Sequence, residues 1–224
     1  MLRGMDPAAA YVLHQHEWRD SGRIFELLTR EQGRISVFAQ GVRGPKSRLA
    51  SVLRPFVPLR VTWAGRGEAP RLTGAEAEPG AAALPPLAPS RLMPAWYLSE
   101  LVLRLTLRHD PQPEMFDHYA AALQSLRTEE RVEATLRRFE KQLLDVLGYG
   151  IPREAPSQSA DTLGLAQLPQ DCLQRLADGT LDDARDLELV RPVLRRALQM
   201  CLDGSDLRTR SVARAMMDME RSRT

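Results

Sequence analysis

The sequence predicts a two-domain α+β protein, a small closed β-barrel at the N-terminus followed by an all-α domain. Three observations predict it. Apolar residues alternate with a period of two through roughly the first 75 residues. A proline-rich interruption follows, and beyond it the apolar period becomes that of a helix.

Five short strands account for the barrel, which is placed at residues 1–78. Ala9–His14 is a short apolar run, and Gly22–Arg30 (GRIFELLTR) leads through the turn Glu31-Gln32-Gly33 into Arg34–Gln40 (RISVFAQ). In that third segment Ile35, Val37 and Ala39 share one face, and Arg34, Ser36 and Gln40 share the other. Phe38 is an aromatic out of pattern on the polar face. Val57, Leu59, Val61 and Trp63 alternate with Pro58, Arg60, Thr62 and Ala64, and Arg71–Ala75 supplies the fifth strand. The long connection between the third and fourth strands carries a helical turn or two over Ser47–Leu53. Short strands with one long connection suit a small barrel. Most of its aromatics (Trp18, Phe25, Phe38, Phe56, Trp63) are expected in the core, with Phe38 the one candidate for stacking on a base.

Residues 79–94 form a Pro/Ala-rich linker, since Glu78–Pro94 (EPGAAALPPLAPSRLMP) holds five prolines. The helical domain is placed at 95–224. Pro94 suits a first helical position, with Leu98, Leu101, Val102 and Leu105 following at i, i+3, i+4, i+7. Pro113 opens a second helix bearing Phe116, Tyr119, Ala120 and Leu123 on one face. Glu129–Leu147 is the most regular helix, striped by Val132, Leu136, Phe139, Leu143 and Leu147 and stopped at Gly148. Pro152–Gln167 reads as loose, and helices follow near Gln170–Ala177, Asp183–Leu202 and Leu207–Arg221, with Pro192 kinking or starting the second of these.

The 224 residues are 43% hydrophobic and 27% charged, ordinary for a globular chain. No run of about 18 apolar residues exists, so no membrane helix is expected. MLRGMDPAAAYVLHQHEW lacks a signal-peptide apolar stretch, and the expected location is the cytoplasm. Cys172 and Cys201 are the only thiols, which excludes a four-cysteine zinc knuckle and argues against a disulfide framework. The formal charge of +2 hides an asymmetry. Residues 1–80 carry 12 Lys/Arg against 8 Asp/Glu, and from Gln32 to Gly67 there are seven cations and no acid. Such a one-signed segment suits a polyanion.

The centre of that segment is GVRGPKSRLASVLRPF, residues 41–56. Arginine forks match phosphate oxygens, and Gly41 and Gly44 allow a close main-chain approach. With Arg34, Arg60 and Arg66 on the barrel, the loop could wall a groove that tracks a nucleic-acid backbone. The alternative is a solvated basic loop. GVRGPKS lacks the spacer of a nucleotide-binding loop, which disfavours nucleotide hydrolysis. Aromatics make up only 5%, so DNA would be held mainly by its phosphates. His14 and His16 share a strand face, yet no carboxylate or thiol at ligand spacing completes a metal set. No nucleophile–base pattern appears either, and the chain reads as a non-enzyme. In ATLRRFEKQLLDVLGYG, residues 134–150, Arg137, Arg138 and Lys141 edge the apolar stripe. A groove with an apolar floor and a basic rim would fit an acidic peptide ending in an apolar residue. The alternative is an ordinary amphipathic helix.

These segments together resemble the RecO family of bacterial recombination mediators. The matching pieces are YVLHQHEWRDSGRIFELLTREQGRISVFAQGVRGPKSRLASVLRPFVPL, GRGE, YLSELVLRL with RHDPQPEMFDHY, LRRFEKQLLDVLGYG and LRTRSVARAMM, in the family's order and spacing. The resemblance implies an OB-like barrel before the helical domain. It implies binding of single- and double-stranded DNA, strand annealing, partnership with RecR, and recognition of the C-terminal tail of the single-stranded DNA-binding protein SSB. Together these help RecA load, with no cofactor. By position, Arg34, Arg43, Lys46, Arg48, Arg54 and Arg66 match the DNA-binding barrel, and Arg137, Arg138 and Phe139, with Lys141 beside them, match the region linked to the SSB tail. Some relatives carry a four-cysteine zinc site after the position of Gly150, whereas IPREAPSQSADTLGLA has no cysteine and the segment is short. Two other classes fit the residues alone: a protein-interaction adaptor with an acidic partner, and an OB-type accessory module for structured RNA.

Overall fold

The computed structural model describes residues 7–18, 22–42, 47–128, 131–157 and 159–221. The chain divides into two compact units, Met1–Pro86 with Thr106–Ala120, and Leu87–Leu105 with Ala121–Thr224. The linear division at 78 and 94 therefore differs from the spatial one, because Thr106–Ala120 packs with the barrel.

In the first unit the strands are β1 (Ala8–Trp18), β2 (Gly22–Thr29), β3 (Gly33–Gln40), β4 (Leu59–Ala64) and β5 (Arg71–Ala77), with helix α1 (Arg48–Val52) between β3 and β4. They close in the order β1-β2-β3-β5-β4. A bulge between Val12 and His14 bends β1, whose start pairs with β4 and whose remainder pairs with β2. Closure rests on the parallel meeting of Phe38 and Arg71, where the Phe38 N–H donates to the Pro70 carbonyl at 2.9 Å. The inward residues of alternating strands, among them Val12, Phe25, Leu27, Ile35, Val37, Leu59 and Val61, fill the barrel. Ser47 caps α1 by accepting from the Ala50 N–H, and buried Val42 and Leu53 bring this connection onto the core.

Segment Thr106–Ala120 covers part of the outer face of β1–β3. Tyr11 meets Phe116 and Tyr119, each with 5.3 Å between ring centroids. The His109 N–H donates to the Arg34 carbonyl at 2.9 Å. Gly33, at φ 65°, permits the close approach, since a Cβ there would stand 2.1 Å from the Asp110 carbonyl oxygen. Under this cover lies Glu26, 5% exposed. Its carboxylate accepts from Arg34 Nη1 at 3.1 Å, from Ser36 Oγ at 2.5 Å and from Arg108 Nη2 at 2.5 Å.

In the second unit, α2 spans Pro89–Leu105, α4 Val132–Val146, α5 Gln170–Asp178, α6 Ala184–Cys201 and α7 Arg208–Arg221, while α3 (Pro113–Thr128) crosses the division after Ala120. Their apolar stripes bury Leu98, Leu101, Phe139, Leu143, Leu173, Val190 and Leu194. Helix α4 packs on α6, and α2 packs on both α4 and α7. At the end of α4, Gly148 adopts φ 83° and the Tyr149 N–H reaches back to the Leu144 carbonyl at 2.8 Å. Helix α2 begins at Pro89 rather than at Pro94, which lies inside it. The N–H that Pro94 lacks would bond Ser90 in the first turn, so the loss is confined to the helix entrance. Pro192 likewise sits within a continuous α6.

Removing Glu26 would leave the nearly buried Arg34 with no counter-charge. We expect Glu26→Ala to cost about 3 kcal/mol in urea unfolding, and a loss below about 0.5 kcal/mol would show that the carboxylate is not a structural centre.

Candidate polyanion interface and candidate anion pocket

The strand register decides which barrel cations are free. Glu26 stands opposite Ser36 on the neighbouring strand, and Arg34 reaches it from two residues away. Arg34 also donates to the Thr106 carbonyl at 3.0 Å, and its side chain is only 14% exposed. This expected DNA contact is spent on structure and is withdrawn. Arg60 lies 3.8 Å from Glu78, so a second cation of the acid-free window has a carboxylate near it. Arg43 and Lys46 lie outside the described residues.

Arg48, Arg54 and Arg66 are exposed, as is Arg71, and no carboxylate pairs with any of the four among the described residues. Arg48 opens α1 and Arg54 follows it by two residues. That helix rests against β5, the strand Arg71 begins, and Arg66 sits in the loop leading into it. These guanidinium groups keep their hydration and can exchange it for phosphate oxygens without first breaking an ion pair.

The helical unit contains a cavity of about 400 Å³. Met93, Pro94 and Tyr97 of α2, Leu136 of α4 and Ala213 of α7 supply apolar surface, and Thr209 also lines it. Five arginines surround it, Arg137 from α4, Arg191 and Arg195 from α6, and Arg210 and Arg214 from α7. The pairs 191/195 and 210/214 are each four residues apart, so each lies along one helix face. Arg191 is 3.9 Å from Glu133, whereas exposed Arg195 and Arg214 have no carboxylate partner among the described residues.

A buried polar relay supports the cavity wall. Arg210 Nη2 donates to the Tyr97 hydroxyl at 2.9 Å, and its guanidinium sits 5.4 Å from the Tyr97 ring centroid. The Tyr97 hydroxyl donates to Glu140 Oε1 at 2.6 Å, and Arg137 Nη2 pairs with the same oxygen at 3.0 Å. Glu140 is fully buried, and its Oε2 and the Arg137 Nε have no hydrogen-bond partner among the described residues. Burial holds the Glu140 carboxyl above its ordinary range, against the lowering pull of Arg137, Tyr97 and Arg210, with Glu133 adding to the rise. Burial and the Glu140 charge likewise push the Tyr97 hydroxyl upward.

Of the three cations expected to edge the groove and Phe139 in its stripe, Arg137 alone lines the cavity. Phe139 is fully buried in the core, Arg138 approaches Asp182 at 3.4 Å, and Lys141 pairs with Asp145 on its own helix. The cavity residues of α2, α6 and α7 were not anticipated. Their one sequence signal was the arginine spacing in RPVLRRALQM and LRTRSVARAMM.

The chain matches two family models, "Recombination protein O N terminal" over residues 5–79 and "Recombination protein O C terminal" over residues 87–168. It is 33% identical to the DNA repair protein RecO of Aromatoleum aromaticum, over 96% of this chain and 98% of that relative. It is 35% identical to that of Nitrosococcus oceani over 91% and 90% of the two chains. To the Methylococcus capsulatus protein it is 41% identical, over 69% of this chain and 62% of the relative's length.

A carboxyl raised on folding binds its proton more tightly in the native state, so its stabilising protonation is present below the unfolded value and lost as pH rises through the folded one. We therefore expect the stability of the parent chain relative to Glu140→Gln to fall as pH rises above about 4. Urea midpoints at several pH values check it, and a parent chain that gains stability relative to the variant with rising pH would reverse the sign.

Proposed function

The chain belongs to the RecO family, and on that premise we propose that it is a non-catalytic mediator of DNA repair and recombination. It holds DNA phosphates on the barrel and an acidic, apolar-ended protein tail in the helical-unit cavity. The observation that carries this reading is that cavity: five guanidinium groups around an apolar floor, with two carboxylates close to them. An acidic peptide would place its apolar end against Met93 and Leu136 and its carboxylates on Arg195, Arg210 and Arg214. In the family's setting this is the C-terminal tail of SSB, which brings the protein to single strands already covered.

On the barrel, Arg48, Arg54 and Arg66, together with Arg43 and Lys46, neutralise phosphates of single- or double-stranded DNA without reading sequence. Charge neutralisation lowers the repulsion between two complementary strands, so annealing needs no nucleotide and no bond is cut. Partnership with RecR and assistance to RecA loading complete the proposal, and they are supported by family membership alone.

If five cations engage a single strand, log K should fall with log salt at a slope near −3.5. Reversing Arg48, Arg54 and Arg66 to Glu should lower that magnitude by at least about 2 and abolish annealing of complementary oligonucleotides. A salt-insensitive affinity would refute the phosphate mechanism. Arg195→Glu with Arg214→Glu should weaken binding of an SSB-tail peptide at least tenfold in fluorescence anisotropy, while binding of bare DNA changes far less. An unchanged peptide affinity would remove the cavity from the proposal.

A further inference from the structure

The outer face of β1–β3 is covered over only part of its length. Tyr11, Glu26, Arg34 and Ser36 lie under Thr106–Ala120. Further along β1 the cover stops, and His14, His16 and Trp18 are exposed. Strand register sets the outward residues there in two rungs. One runs His16–Ile24–Phe38–Arg71 across β1, β2, β3 and β5, and the next runs Trp18–Gly22–Gln40.

Trp18 is 45% exposed, and Phe38 and Ile24 are half-buried. Gly22 lies between the two aromatic residues. A Cβ on it would stand 2.3 Å from Phe38 Cε2 and 3.2 Å from the Trp18 carbonyl oxygen, so the Phe38 ring occupies the space a side chain would need. The Phe38 ring therefore covers the backbone of Gly22, and Trp18 stands across from that glycine on β1, so the two aromatic residues flank one strip of the sheet. At its ends are two polar groups, the exposed Gln40 amide and the exposed Arg71 guanidinium, which has no carboxylate partner among the described residues. The acid nearest in sequence, Glu17, faces away from Trp18 by strand alternation and lies 4.0 Å from Arg23. The exposed part of the Trp18 indole keeps apolar surface in water, which a planar base would cover together with the half-buried Phe38 ring.

We propose that this strip stacks unpaired nucleobases, with Trp18 and Phe38 as the platform and Arg71 on an adjoining phosphate. The inference rests on the reading that the barrel holds DNA and adds a base-dependent contribution to its phosphate contacts. In a duplex the base faces are already stacked on one another, so the strip engages single strands only. The protein thereby tells single strands from duplex without reading sequence.

The test uses the full chain and two single-stranded oligomers with equal numbers of phosphates, one of thymidine and one wholly abasic. The parent chain should bind the thymidine oligomer about tenfold tighter. Trp18→Ala should remove that preference and leave both the abasic affinity and the salt slope unchanged. Because Trp18 is exposed, the variant keeps its fold, which circular dichroism checks. In a chain with Trp63→Phe and Trp96→Phe, the remaining Trp18 emission should be quenched by the thymidine oligomer and not by the abasic one. Equal affinity of the parent chain for both oligomers, or an unaltered preference in Trp18→Ala, overturns the strip and leaves phosphate binding standing. If neither oligomer binds, the DNA-binding reading of the barrel falls and takes the strip with it.

Discussion

A guanidinium can serve one anion well, and in this protein the placing of carboxylates decides which arginines remain available. Glu26 shows the constraint most directly. Its buried carboxylate would be costly alone, so Arg34, Arg108 and Ser36 converge on it. The same convergence ties segment Thr106–Ala120 to the sheet and withdraws Arg34 from solvent. Glu140 plays the equivalent part in the helical unit, where Arg137 and Tyr97 share one of its oxygens and Arg210 is steadied through the tyrosine hydroxyl.

Arginines thus fall into two populations. Arg34, Arg137 and Arg175 are bound to carboxylates and stabilise the fold, and in Arg175 the partner is Asp186, with Asp171 one turn away on the same helix. Arg48, Arg54, Arg66, Arg71, Arg195 and Arg214 are exposed and lack such partners among the described residues. The second population lines the surfaces on which a polyanion or an acidic tail would be recognised. A solvated guanidinium contributes little to stability, and it is also the cheapest donor to redirect toward an incoming phosphate or carboxylate. Stability and recognition draw on the same residue type, distinguished by whether a carboxylate already holds the guanidinium.

The barrel surface repeats the division with aromatic residues. Phe25 is fully enclosed in the core, and Tyr11 is buried beneath Phe116 and Tyr119. Among the described residues Trp18, one strand-length away, has no such cover. Gly22, opposite Trp18, leaves room for the Phe38 ring to lie over its backbone.

Much of the fold was legible in the chain. Period-two alternation located β3 and β4, the absence of a side chain at Gly148 marked the end of α4, and the shift to period 3.6 announced the helical unit. These features depend on local sterics and on the sidedness of single elements, and both are written in neighbouring residues. The basic character of the β3–β4 connection was legible for the same reason. Which of its cations would be neutralised was not, because Glu26 and Glu78 lie outside the acid-free window and meet Arg34 and Arg60 only through strand pairing. Phe139 packs inward with its stripe, as its spacing indicated, while the cavity beside Arg137 is completed by residues more than fifty positions away on α6 and α7. Sequence by itself determined the elements and the sign of their charge. Tertiary structure alone decided pairing and exposure, since Coulomb attraction and desolvation depend on distances between residues that the chain order does not set.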